Sequence, residues 1–264
     1  MNAASGTAAP AMAPEIRTVG LEQPWIWLAA GWRDLWRRPG LSLGYGLAVF
    51  AASWVLTAAV LLHGAYWLVL PLAAGFLQIA PLLAMGLYEI SRRIENGEPV
   101  SAGNVMLVRT RAPAQIGFLG LILVLSMLAW VRIATLLFAL FFGTGFPPAE
   151  QFFHDLFWTM DGLTFLMVGM AAGAVLAFSV FAISVVSLPH LLASGGDALS
   201  AVFLSIEAVR RNPGPMLLWA FLIALFTAVG MATLYAGLIV LFPLIGHATW
   251  HAYRDLAGRD SGIS

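Results

Sequence analysis

The stretch "RRNPGPMLLWAFLIALFTAVGMATLYAGLIVLFPLIGHATWHAYRDL" (Arg210–Leu256) decides how the rest of the chain is read. Paired arginines and a proline open it. Two apolar runs follow, near 215–233 and 236–254, with only a turn near "LYAG" between them. Each run has about the 20 residues that a helix needs to cross the hydrocarbon core of a bilayer. The second run ends in "GHATWHAY", where His247 and His251 stand four residues apart. The pattern is a transmembrane hairpin that leaves one side of a membrane and returns to it.

Of the 264 residues, 61% are hydrophobic and 10% charged, whereas a soluble domain carries about 25% charged residues. Such a chain cannot present a wettable surface, so its main solvent is lipid. Formal net charge is zero, which argues against nucleic acid as a partner. The absence of cysteine excludes disulfides, thiolate catalysis and Cys-ligated metals. All 13 basic residues are arginine; with abundant Ala and Gly, this points to a GC-rich bacterial genome. Residues 1–20 are small, Pro-containing and non-periodic, and read as a disordered cytosolic tail. Residues 257–264 read as a second cytosolic tail.

The expected fold is all-α, with six transmembrane helices near 41–62, 66–90, 114–142, 163–192, 215–233 and 236–254. They group into three hairpins (41–90, 114–192, 215–254) within a membrane domain spanning 39–256. Arg17, Arg33, Arg37, Arg38, Arg92, Arg93, Arg109, Arg111, Arg210, Arg211, Arg254 and Arg259 all fall on one side of this layout. The opposite loops hold Glu150, Asp155 and Asp161 and no arginine. The positive-inside rule then places both termini in the cytoplasm, with the chain in the inner membrane.

Arg132 is the exception. It follows Trp130 near the outer end of the third span, where an arginine snorkels to the interface beside a tryptophan belt. The alternative pairs it with Asp155 or Asp161 inside the membrane. Asp161 also has the position of an N-cap for the fourth span.

Three surface stretches look alike: "LEQPWIWLAAGWRDLWRRPG", "SAGNVMLVRTRAPAQ" and "DALSAVFLSIEAVRRNPGP". In the first, Trp25, Leu28, Trp32, Leu35 and Trp36 recur at helical spacing, so 21–38 reads as an amphipathic interfacial helix anchored by Trp25, Trp32 and Trp36. In the third, Leu199, Val202, Phe203, Ile206 and Val209 do the same. Each stretch ends in arginines and a proline, then a membrane span. Proline ends one helix and opens the next because it lacks an N–H and fixes φ. Spans two, four and six each carry a proline near the cytosolic half, and Pro81, Pro189 and Pro243 are expected to kink them. The layout reads as a surface helix plus hairpin used three times in parallel.

The segments "LEQPWIWLAAGWRDLWRRPGLSLGYGL", "LAMGLYEISRRIENGEPV", "SVVSLPHLL", "RRNPGPMLLWA" and "FPLIGHATWHAYRDL" together resemble a bacterial family of predicted integral membrane proteins of unknown function. Some of its members are labelled putative cytochrome c oxidase subunits, which implies at most an accessory place in a respiratory complex. A haem-copper catalytic subunit would need about twelve spans and six histidine ligands, and this chain has five histidines.

His247 and His251 share a helix face, His190 follows the kink of span four, and Glu89 has a comparable depth in span two. Converging, they would form a His/His/His/Glu cluster suited to Zn²⁺, Fe²⁺ or Mn²⁺, or with deeper ligands a haem. The simpler reading gives these residues interfacial and structural roles, with no cofactor. There is no phosphate loop, zinc-protease motif or nucleophile elbow, so an enzyme is not expected. Two function classes remain. One is a non-enzymatic scaffold or accessory protein that docks lipids, membrane partners or a second copy. The other is a small transporter or channel for an apolar or weakly polar solute. An apolar groove between spans favours lipid handling, a sealed bundle a scaffold, and a polar cavity transport.

Overall fold

The computed structural model describes residues 16–143 and 148–257. The expected tails, Arg259 included, lie outside these residues except at 16–20 and Ala257. The described chain is helical throughout and holds no strand: α1 Gln23–Arg37, α2 Pro39–Leu62, α3 Val69–Leu83, α4 Met85–Glu95, α5 Ala102–Met106, α6 Pro113–Phe142, α7 Ala149–Trp158, α8 Met160–Ser184, α9 Ser187–Ala193, α10 Ala198–Arg211, α11 Pro213–Ala232 and α12 Leu238–Leu256.

Prolines open α2, α6 and α11, where the missing N–H costs no intrahelical bond. The residues before them, Arg38, Ala112 and Asn212, share one backbone geometry, with φ/ψ of −138°/60°, −130°/55° and −127°/52°. The proline ring forbids αR at the preceding residue, so each surface segment must turn there before the span begins.

Among the described residues five segments are long and apolar enough to cross a membrane: 39–62, 66–95, 113–142, 160–193 and 213–232. The second is α3 and α4, broken at Ala84 just after Pro81; the fourth is α8 and α9, broken at Val185–Val186 ahead of Pro189. Neighbouring helices take up the freed backbone groups. Tyr45 on α2 donates to the Leu83 carbonyl at 2.6 Å, and the Val186 N–H donates to Ser205 Oγ on α10 at 3.1 Å. Pro243 leaves α12 unbroken.

The sixth expected span does not qualify by composition. It is α12, 19 residues long, apolar only as far as Ile245; its second half is "GHATWHAYRDL". It is enclosed instead, packing against α1, α2, α4 and α11, with His247, Ala248, Trp250 and Ala252 at most 1% exposed. Glycines permit the approach. A Cβ on Gly31 of α1 would lie 2.6 Å from the Ala248 nitrogen, and one on Gly246 2.5 Å from Leu87 of α4. Gly46 of α2 rests against the Ile239 carbonyl, the one that Pro243 leaves without its helical donor. The first pair of spans is therefore not a closed hairpin: α2 packs mainly on α12, while α3 packs on α6 and α8.

The surface helices are built differently from the expected stripes. Leu28 and Leu35 of α1 face inward with Trp27 and Asp34, while Trp25, Trp32 and Trp36 are half exposed on the other side. In α10 the buried face is Ala198, Ala201, Ser205, Ala208 and Val209, while Leu199 and Phe203 point outward. Small residues make most of the packed face of α10, whereas α1 packs with Trp27, Leu28 and Leu35. The second surface helix, α5, has only 5 residues. Residues 16–20, expected in the tail, form a docked strap. The Arg17 N–H donates to the Leu256 carbonyl at 3.0 Å, and the Val19 N–H to Asn212 Oδ1 at 2.7 Å. At the opposite end Phe138, Phe152 and Leu156 form a second core with Tyr66, Trp67 and Phe165.

A Gly46→Ala substitution forces α2 off α12 and is expected to lower stability by about 1–3 kcal/mol. Gly44→Ala, two residues away with nothing near its Cβ, is neutral or stabilising. Thermal unfolding of both variants in one detergent checks the contrast.

Candidate functional site, a polar collar beside an apolar groove

At the arginine-bearing end, polar side chains close around the second half of α12. His247 is fully buried. Its Nε2 meets Ser42 Oγ of α2 at 2.9 Å and its Nδ1 meets Ser91 Oγ of α4 at 2.8 Å. Each hydroxyl donates or accepts, so either neutral tautomer of the ring is satisfied. One turn on, His251 Nε2 lies 2.7 Å from Asp34 Oδ2 of α1. Asp255 accepts from Gln23 at 2.7 Å, Trp27 at 3.2 Å and Arg17 at 3.3 Å. Glu95 of α4 accepts from Trp250 at 3.0 Å and Arg254 at 2.9 Å. Successive turns of α12 are thus tied to α2, α4 and α1 in rotation.

The four residues expected to converge go to separate partners. Glu89, 1% exposed, accepts two bonds from Arg92, at 2.7 and 3.0 Å, and one from Arg93. Glu98 completes this clamp from the loop after α4, accepting from Arg92 at 3.0 Å. His190 lies edge-on to Tyr253, with ring centroids 6.0 Å apart. Among the described residues no three His, Asp or Glu side chains are grouped to hold a metal ion. Two carboxyl groups outside the spans are shifted. Burial pushes the Asp34 carboxyl up, but the hydrogen bond and charge of His251, with Ser91 and His247, outweigh it and hold it below the ordinary 3.8. The Glu98 carboxyl is held down by Arg92 and then by Asn96.

Arg132 is exposed on α6, and neither Asp155 nor Asp161 pairs with it among the described residues. It stands 19 residues along α6, roughly 28 Å from the arginine-bearing end at 1.5 Å per residue. Asp161 is not the cap of α8; Thr159 is, accepting from the Gly162 N–H at 3.0 Å. In α7, Phe152 is buried in the aromatic core, while Phe153, Phe157 and Trp158 are exposed.

The second feature is a cavity of about 980 Å³ inside the bundle. Helix α8 packs on α3, α6 and α10, and α11 packs on α12; the groove is the space between α8 and α11, with α3 and α12 behind it. Its lining is aliphatic and aromatic, with small residues along α8 (Gly169, Gly173, Ala177) and α11 (Ala220, Ala224). Among the described residues no Arg, Asp, Glu or His lines it. Met170, Val175, Leu217 and Phe221 border it and are 59–68% exposed, so the groove opens sideways into whatever surrounds the spans. The kinks at Ala84 and Val185 both border it, so the breaks that displace α3 and α8 help to shape the space.

Sequence reasoning missed Asp34, Ser42, Ser91, Glu95, Asp255 and Asn212 as joining residues. Asp34 carried a readable signal: Trp27, Gly31 and Asp34 follow one face of α1, which is incompatible with a solvated polar side.

Because the folded Asp34 carboxyl ionises below its ordinary value, its stabilisation is present above that value and lost as pH falls through the lowered one. The unfolding midpoint of the wild type is expected to drop as pH falls below the ordinary 3.8 of this carboxyl, and that of Asp34→Asn to change less over the same range. Thermal scans at several pH values measure the difference. Arg132→Leu is expected to leave folding and thermal stability unchanged, because no ion pair is lost; a large fall in midpoint in the same assay would contradict the snorkelling reading.

No curated protein and no solved structure is significantly similar to the chain. Residues 69–193, from the start of α3 to the end of α9, match the family described as "Predicted integral membrane protein (DUF2189)", and over this stretch the chain is similar to that family.

Proposed function

We propose that this is a non-enzymatic protein of the bacterial inner membrane that holds a lipid in the groove between α8 and α11. The observation that carries the reading is the groove's character: an uncharged, laterally open cleft of about 980 Å³ in the membrane-spanning part of the molecule. A solute path would need polar groups along it, and a pure scaffold would close such a gap by packing.

In this reading α12 is the sixth crossing. It escapes the composition test because its neighbours, not lipid, cover its polar half. Both termini and the polar collar then face the cytosol, where the arginines belong by the positive-inside rule. The repeated geometry before Pro39, Pro113 and Pro213 supports a unit used three times. The exposed Trp25, Trp32 and Trp36 of α1, with Leu199 and Phe203 of α10, suit helices lying in the interface.

Gly169 lines the groove with nothing within 4 Å of its Cβ position. Gly169→Leu therefore fills the cleft without displacing a helix. In nanodiscs containing a diazirine-bearing phosphatidylglycerol and a diazirine-bearing polyprenol, we expect photolabel on α8 and α11 peptides of the wild type and a severalfold loss in Gly169→Leu. Equal labelling of the two proteins by both probes would refute the groove as a lipid site.

A further inference from the structure

Resting on that reading, we infer that the groove takes a neutral lipid with one chain longer than a leaflet and a small oxygen-bearing head, and that the Tyr88 hydroxyl bonds that head.

Charge limits the head. With no ionisable cation along the groove among the described residues, a phosphate drawn into it would be desolvated without compensation. A hydroxyl or carbonyl head needs only one hydrogen bond.

Length limits the chain. Phe165 and Val185 both line the groove. They are 20 residues apart on one continuous helical run, a distance of roughly 30 Å at 1.5 Å per residue. This is the whole hydrocarbon thickness, of which one leaflet is about half. A single extended chain that crosses the midplane lies along this length, whereas the chains of a phospholipid stop within their own leaflet.

Tyr88 fixes the polar end. It lies on α4 beyond the Ala84 break, while Leu70 lines the groove 18 residues earlier, roughly 27 Å away along the kinked span. Tyr88 is only 2% exposed, yet its hydroxyl has no hydrogen-bond partner among the described residues. A buried tyrosine hydroxyl ordinarily has one. The other hydroxyls along the groove have local solutions. Ser179, Ser184 and Thr249 donate to carbonyls of their own helices, and Thr227 can turn back in the same way. A phenol reaches too far from its backbone to do so. Its missing partner is a group that enters the groove.

The test uses full-length protein in nanodiscs with a photoactivatable C20 polyprenol as probe and a diazirine phosphatidylglycerol as comparison. The polyprenol is expected to label peptides from α4, α8 and α11. Tyr88→Phe, which keeps the ring and its packing, is expected to reduce that labelling about five- to tenfold, the loss of one hydrogen bond. Unchanged polyprenol labelling in Tyr88→Phe overturns the inference. So does phosphatidylglycerol labelling the groove and displacing the polyprenol, although the lipid-holding reading then survives. Absence of groove labelling by either probe overturns both.

Discussion

The structure depends on one constraint: the second half of α12 is too polar to face lipid and too firmly joined to an apolar helix to leave it. A buried imidazole, the Trp250 indole N–H and the Asp255 carboxylate on successive turns each need a partner away from lipid. The chain supplies them from α1, α2 and α4, and glycines bring those helices close enough for the bonds to form. Around this axis the bundle is dense. Away from it, between α8 and α11, nothing polar demands closure, and the helices stand apart.

Much of the layout was legible because lipid is an exacting solvent. The runs at 41–62 and 215–233, and 114–142 apart from Arg132, are apolar all round, and lipid is the environment that accommodates them. The proline-led starts of α2, α6 and α11 were readable for the same local reason, since proline fixes the turn before it. The sidedness of α1 was not. Its sequence has two apolar faces, and spacing alone does not tell which meets protein and which meets the bilayer; Trp27 and Gly31 choose by fitting α12, a partner some 220 residues away.

The histidines show where reading by type stops. His247 and His251 do share a face at i,i+4, as a metal pair would. Whether they share a partner depends on what α1, α2 and α4 bring to them, and those helices bring serines and Asp34. Glu89 is claimed first by Arg92 and Arg93, three and four residues on. Short-range pairing along a helix is visible in sequence and outranks the long-range convergence that a cluster requires. The groove had no signature of its own: a cavity is an absence of contact, and Ala and Gly stripes mark close packing and open walls equally well.

The pairing of α1 with α12 also has a temporal side. Ribosomes add about 5–20 residues each second, so roughly 200 residues separate the emergence of one helix from the other by about 10–40 seconds. Through that interval Trp27, Gly31 and Asp34 have no destination. On the proposed interfacial placement, the outward tryptophans would hold α1 at the bilayer surface while the bundle grows. The strap at 16–20 is then drawn in only after Leu256 arrives to receive it. Nascent chains of this protein should therefore spend most of their synthesis as an unclosed ring of helices, with closure as a late event.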